Sequence, residues 1–473
     1  MKYKIFLSII IFFLSLNSKA AEPEVLINFR VKGVQDTSCI LAYRFGKKVF
    51  VKDTINVDKK GLGQISYDKA LASGVYLYVL PDNSFIEFII SDQKFDISTS
   101  KDDIVGAMKI INSKDNELFY QYRKFIDPKG AEIQEISQKI QELEADTLND
   151  NEALISENQR KVKTLNEEIV NFREKMMEEH PKAFMTRMFW AMKDPEVPEP
   201  PILENGRPDS TFAYKYFKSH YFDNVSFQDS ALLRTPIFED KVKYYMENLV
   251  IQIPDSVNKE LDNLIEQARG NQIMTEFLLK TFTSKYERSK LMGAENIFVH
   301  LVESYYDDES YTPWLDSAQR QRILKRGKQL SPIIIGKKAP NLVMLDYYNK
   351  PQSLHNIEAN YTILYFWAFD CGHCKKVTPK LHDYYKEVKD QGVKVFAVST
   401  KQELDEWKKY VEDKELTWIN VHDIGGRNRI HEVYDIFSTP VIYLLDEEKK
   451  IIAKRLDLEN LKKILEMELK KVN

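Results

Sequence analysis

The spacing of apolar residues changes twice along this chain of 473 residues, and no single packed core satisfies all three patterns. Length alone argues the same way, since one hydrophobic core rarely organises more than about 250–300 residues. From about Glu24 to Ser100 short runs alternate apolar and polar positions, as in Val25-Leu26-Ile27-Asn28-Phe29, Gly74-Val75-Tyr76-Leu77-Tyr78-Val79-Leu80 and Phe85-Ile86-Glu87-Phe88-Ile89-Ile90. Asp58-Lys59-Lys60-Gly61 and Pro81-Asp82-Asn83 separate them with turn-forming residues, so a small antiparallel β domain is expected over residues 21–112.

From about Asp115 the period becomes helical. Ile133, Ile136, Ile140 and Leu143 recur at three and four residues, as do Val162, Leu165, Ile169, Phe172 and Met176. The polar break Thr147-Leu148-Asn149-Asp150-Asn151 has the length of a turn, which predicts a helical hairpin. Pro195 to Pro201, four prolines in seven residues, interrupts helix, after which helical spacing resumes over 210–330 with breaks at Pro236, Pro254 and Gly270. The basic run Arg320 to Arg326 reads as a solvated helix face closing a central α-helical region, 113–332. Beyond Ser331-Pro332 strands alternate with helices: Leu342 to Leu345, Thr362 to Trp367, Val393 to Val398, then a hairpin from Pro440 to Ala453 and a terminal helix from Leu458. Residues 333–473 therefore read as an α/β domain, and the whole chain as a multidomain α+β protein.

Charge narrows the function classes. Lys and Arg number 68 against 72 Asp and Glu, for a net charge of -4, so no basic excess is available to bind nucleic acid. At the N-terminus Lys2 and Lys4 precede the apolar run Ile5 to Leu16, and Ser18-Lys19-Ala20 supplies small residues for cleavage, the pattern of a secretory signal peptide over residues 1–20. A dozen apolar residues fall short of the roughly 20 that span a bilayer, and the first cysteine, Cys39, lies too far on for a lipoprotein anchor. The expected product is a periplasmic protein. It carries three cysteines, and Cys39, inside the strand-like run Ser38 to Tyr43, reads as a small buried hydrophobe.

The other two form Cys371-Gly372-His373-Cys374, which follows an apolar strand and opens an amphipathic helix running from His373 to about Lys389. Unpaired backbone N–H groups and the helix dipole at that position favour a thiolate on Cys371. Cys371 is thus the expected nucleophile, and Cys374, one turn inside the helix, the thiol that resolves a mixed disulfide. A protonated His373 would strengthen the effect and Asp370 would oppose it, which leaves the sign of the Cys371 shift open. Zinc would need four ligands, and beyond His382 no further candidate stands near; neither metal nor cofactor is expected.

Phe366 to Lys375 with Pro379 beyond it, together with Phe437-Ser438-Thr439-Pro440-Val441-Ile442-Tyr443, resembles the active-site block and the cis-proline loop of the thioredoxin superfamily. Gly336 to Leu342 and an extra helix from Leu404 to Val411 are more similar to the exported TlpA/ResA subgroup, and the resemblance covers 333–473. It implies a thioredoxin-like fold with Pro440 cis beside the cysteine pair, Pro379 kinking the helix, and Thr439 and Trp367 meeting an extended substrate. It also implies a thiol–disulfide oxidoreductase whose partners are the thiols and disulfides of envelope proteins and a membrane redox donor or acceptor. Two positions depart from the pattern. Tyr365 stands where thioredoxins keep a buried Asp, and Val377 where the ResA type keeps an acid, so the resolving thiol lacks its usual carboxylate acceptor. Ala368 replaces the Thr that a peroxiredoxin would need to hold peroxide. The competing reading is an envelope binding protein that uses this fold as a scaffold.

Overall fold

The computed structural model describes residues 22–146, 150–289 and 291–472. The signal-peptide expectation and the Thr147 to Asn149 part of the hairpin break lie outside them. The chain divides into two compact units between Tyr244 and Tyr245.

In the first unit eight strands form one sheet: β1 Val25–Lys32, β2 Thr37–Phe45, β3 Lys48–Val57, β4 Leu62–Tyr67, β5 Gly74–Val79, β6 Phe85–Ile90, β7 Lys94–Ser100 and β8 Lys109–Ile111. Their order is β6-β5-β2-β3-β4-β1-β7-β8. Alternation along β1 buries Val25, Ile27, Phe29 and Val31 on one face, and Phe29 stacks on Tyr78 with centroids 4.1 Å apart. One pairing departs from the antiparallel expectation: β1 and β7 run parallel, from Leu26 opposite Lys94 to Lys32 opposite Ser100. Period-two alternation buries one face under either pairing, so strand direction leaves no local trace. Cys39 lies buried in β2, and that burial pushes its thiol above the usual range against a bond from Tyr78.

Helices α1 Lys114–Ala145 and α2 Glu152–Glu179 make the expected hairpin. Its base is anchored on the sheet by buried Leu118, Phe119 and Tyr120, and by the Asn116 amide, which donates to the Ile89 carbonyl and accepts its N–H, both at 2.7 Å. Farther out Phe125 stacks on Phe172 at 4.1 Å, while Ile133, Ile136, Ile140 and Leu143 are only half-buried. Three short helices, α3 Phe184–Met192, α4 Phe212–His220 and α5 Ile237–Tyr244, complete this unit.

The second unit opens with α6 Pro254–Ala268, α7 Gln272–Glu287, α8 Ala294–Leu301 and α9 Ser317–Leu330. Pro254 sits in the first turn of α6, where its missing N–H costs nothing, and Gly270 adopts φ +91° between α6 and α7. The side chain of Asp316 caps α9 by accepting from the Gln319 N–H at 2.7 Å. Along α9 the basic run is only in part the solvated face expected of it. Arg320, Leu324 and Gly327 share a buried face at helical spacing, and Arg320 donates to the Thr312 carbonyl at 3.0 Å, while Arg322 and Lys325 remain exposed.

A seven-stranded sheet follows, in the order β10-β9-β13-β12-β11-β14-β15. Its elements are β9 Val343–Asp346, β10 Pro351–Ser353, β11 Tyr361–Trp367, α10 Gly372–Val388, β12 Val393–Ser399, α11 Leu404–Asp413, β13 Ile419–His422, α12 Ile430–Val433, β14 Val441–Leu445, β15 Ile451–Lys454 and α13 Leu458–Val472. Central strands β11, β12 and β13 are parallel, and every residue of β11 is buried, as strands covered on both faces must be. The α+β organisation read from the apolar spacing is the one the protein adopts. No described helix is long and apolar enough to cross a membrane.

Candidate active site

β11 ends at Trp367 in the middle of the sheet, and after a short turn Cys371 becomes the cap of α10, with extended backbone angles of φ -74° and ψ 120°. A cap residue faces the free N–H groups of the first helical turn, and here the cap is a sulfur. The Cys374 N–H donates to the Cys371 Sγ at 3.4 Å. From the other side the Thr439 carbonyl lies 3.4 Å from the same sulfur and accepts from the thiol. The Thr439–Pro440 bond is cis, so the loop expected to lie against the cysteine pair does so.

The two sulfurs differ in environment. Cys371 is partly exposed and Cys374 fully buried. Partial burial works against ionisation of Cys371, but bonds from the Cys374 N–H, the Thr439 hydroxyl, the Cys374 thiol and the His373 N–H outweigh it and hold this thiol below its usual range. Burial dominates at Cys374 and, with the neighbouring sulfur adding to it, pushes that thiol up to about 11. The sign left open by the sequence is thereby given: the Cys371 thiol ionises more readily than a free one and the Cys374 thiol less readily.

Asp370 does not oppose this freely, because the Lys401 ammonium lies 2.7 Å from its carboxylate. Lys401 has no local sequence link to the cysteines. Parallel pairing sets Trp367 opposite Ser399, and the Thr400 N–H donates to the Trp367 carbonyl at 2.9 Å, which carries the next residue, Lys401, to the site. A parallel register between the two apolar runs was the signal that could have found it.

Other candidates sort by burial. His373 is exposed, and it is its backbone N–H that acts on Cys371. Pro440 and Thr439 are half-buried, whereas Phe437, before them in the loop, is 79% exposed. Trp367 corrects an expectation: it is 0% exposed, with its ring 5.2 Å from Tyr410, so it supports the site from the core and cannot meet a substrate. Tyr365, in the place of the absent Asp, is also fully buried and shares a 2.8 Å hydrogen bond with Thr378. Burial raises its hydroxyl far above the usual range, so it is no proton acceptor for Cys374. His382 shares its Nε2 with the Thr417 hydroxyl at 3.0 Å, a packing role inside α10. Among the described residues no three His, Cys, Asp or Glu side chains cluster as metal ligands would.

The ionisation difference is directly measurable. In the reduced protein with Cys374→Ser, alkylation of Cys371 by iodoacetamide should titrate with a midpoint below that of a free thiol. Adding Lys401→Met should move the midpoint upward by unmasking the Asp370 charge. A midpoint at or above that of free cysteine would contradict the arrangement of donors around the sulfur.

Two families match the chain, one of them over the site. Residues 335–454 match the AhpC/TSA family, and residues 152–331 match a domain of unknown function (DUF5106). The thiol-disulfide oxidoreductase ResA of Bacillus thuringiensis subsp. konkukian is 30% identical over 138 residues, which span 29% of this chain and 78% of that protein. Among solved structures, a domain of a possible thiol-disulfide isomerase from Cytophaga hutchinsonii is 40% identical, covering 30% of this chain and 97% of that one with a TM-score of 0.29. A thioredoxin-like protein from Bacteroides caccae is 20% identical and covers 58% of this chain and 99% of that one, with a TM-score of 0.44.

Proposed function

The chain belongs, through its C-terminal domain, to the ResA-like thiol–disulfide oxidoreductases, and we propose that it exchanges disulfides with envelope proteins in the periplasm through Cys371 and Cys374. The observation that carries this reading is the Cys371 sulfur at the start of α10, met by the Cys374 N–H and by the Thr439 carbonyl, each at 3.4 Å. The Cys371 thiolate attacks one sulfur of a client disulfide, forming a mixed disulfide and releasing the other client sulfur as a thiolate. Cys374 then gives up its proton and attacks the Cys371 sulfur, which frees the second client thiolate and leaves an intramolecular disulfide. Two electrons pass to the client, and a membrane redox donor returns the dithiol; run backward with an acceptor, the same steps oxidise a client. With Tyr365 and Val377 where a carboxylate would serve, no carboxylate at those positions takes the Cys374 proton, which makes resolution the slow step. The basis for export is the Lys2 to Ala20 segment.

Cys374→Ser tests the reading, because it leaves the attack intact and removes the resolving sulfur. Expressed in its own envelope, this variant is expected to accumulate mixed disulfides at Cys371, visible as reductant-sensitive high-mass bands. Their absence, under conditions where a known oxidoreductase traps its clients, would overturn it. If Cys371→Ala left the biological role intact, the scaffold reading would take its place.

A further inference from the structure

The loop that meets the nucleophile is held from behind. Between α12 and Phe437 the chain reverses at Asp435, which adopts φ +56°, and its carboxylate is 1% exposed. Three side chains converge on that carboxylate. Arg326 of α9 grips it with both guanidinium ends, Nη1 to Oδ1 at 2.6 Å and Nη2 to Oδ2 at 3.0 Å. Arg455, just after β15, donates to Oδ2 at 2.7 Å. Gln329 of α9 donates to Oδ1 at 3.4 Å and to the Glu432 carbonyl at 3.3 Å, so one helix face reads both the side chain and the backbone of this turn.

A second layer makes the turn stiff. His431 Nδ1 lies 2.6 Å from the Ile436 carbonyl, and the Tyr443 hydroxyl donates to the Tyr434 carbonyl at 3.1 Å. Only after Ile436 does the chain come free: Phe437 and Ser438 are exposed, and Thr439 then returns to place its carbonyl 3.4 Å from the Cys371 sulfur. Arg455, from the sheet, already provides one cation for Asp435. The planar fork of Arg326 adds orientation, since a bidentate pair fixes the carboxylate plane where a single contact allows rotation.

We propose that Arg326 is a positioning residue for disulfide exchange: its fork on Asp435 sets the 435–440 loop, so that the helices ahead of the thioredoxin-like sheet govern how an extended client chain docks beside Cys371. The inference rests on the exchange reading above and deepens it. It gives the segment ending at residue 331, the domain of unknown function, a part in the reaction without any contact to the sulfurs. A small disulfide needs only the thiolate. A polypeptide must also lie along the loop, so misplacing the loop by a fraction of an ångström penalises the polypeptide more than a small disulfide, which feels only the Thr439 contact to the Cys371 sulfur.

The test compares hydroxyethyl disulfide with insulin as oxidised substrates of the reduced full-length protein. Arg326→Gln is expected to lower kcat/KM for insulin about tenfold, chiefly through KM, with hydroxyethyl disulfide changed less than about twofold. Arg326→Lys, which keeps the charge but not the fork, should recover part of the loss. Equal losses on both substrates, or none on either in a folded variant, would overturn the proposal. Should Arg326→Gln fail to fold, Gln329→Ala removes the two weaker bonds to the turn and the Gln329 oxygen that accepts from Arg326 Nη1 at 3.2 Å, leaving the fork on Asp435, and the same split, about threefold, is then required. A parent protein that reduces neither substrate would sink the exchange reading itself, whereas an active parent with no split sinks only the role of Arg326.

Discussion

Cys371→Ala is expected to abolish disulfide exchange, with a rate loss on the order of a thousandfold or more, while leaving the fold in place. The chemical step has no substitute nucleophile. Cys374 is fully buried and its thiol is pushed up to about 11, so at neutral pH it is neither accessible nor ionised. Removing a residue through which all later steps pass costs nearly the whole acceleration rather than a share of it. The structural cost is small by comparison. Cys371 is only partly buried and caps α10 by accepting from backbone N–H groups of its first turn, that of Cys374 at 3.4 Å, so losing it amounts to about 1 kcal/mol, the usual value of a helix cap. Insulin reduction checks the first half of the expectation and thermal unfolding the second. Retained exchange in a well-folded Cys371→Ala protein would refute the site assignment.

Phe366→Ala should produce a large loss of stability in the second unit, about 3–5 kcal/mol. Phe366 is 0% exposed in the middle of the sheet, opposite Val398 of β12 and Val441 of β14. Its ring lies 5.0 Å from Tyr434 and 6.1 Å from Tyr443. Val398, Val441 and Tyr443 are held in paired strands, so the vacated space closes only in part and the residual cavity adds to the transfer cost. Trp314, Trp367, Trp407 and Trp418, four of the five tryptophans, belong to this unit, so fluorescence in a urea titration reports its unfolding. A loss below about 1 kcal/mol would mean that the strand is not the closed centre of the sheet.

Much of the protein was legible because its signals are short in range. Period-two alternation, three-and-four spacing and buried apolar runs each follow from which face of a single element meets the core, and that information lies within ten or twenty neighbouring residues. The cysteine pair was legible for the same reason: Cys371 and Cys374 act through the first turn of their own helix, and a helix start after an apolar strand is written locally. Resemblance extended this to Pro440, sixty-nine residues beyond Cys371, because its loop has a motif of its own.

What the sequence by itself determined, then, is the series of elements and the cysteine pair at the start of α10. Tertiary structure decided the rest, wherever the physics depends on which distant segments share a neighbour. Direction of the β1–β7 pairing, burial of Trp367, the turning inward of Arg320, and the pairs Asp370 with Lys401 and Asp435 with Arg326 all fall in this class. In each case a charge or a ring looks the same in the chain whether it ends in solvent or against a partner up to 109 residues away. Only the register of the sheet and the packing of helices on it select the partner, and with it the ionisation of the site.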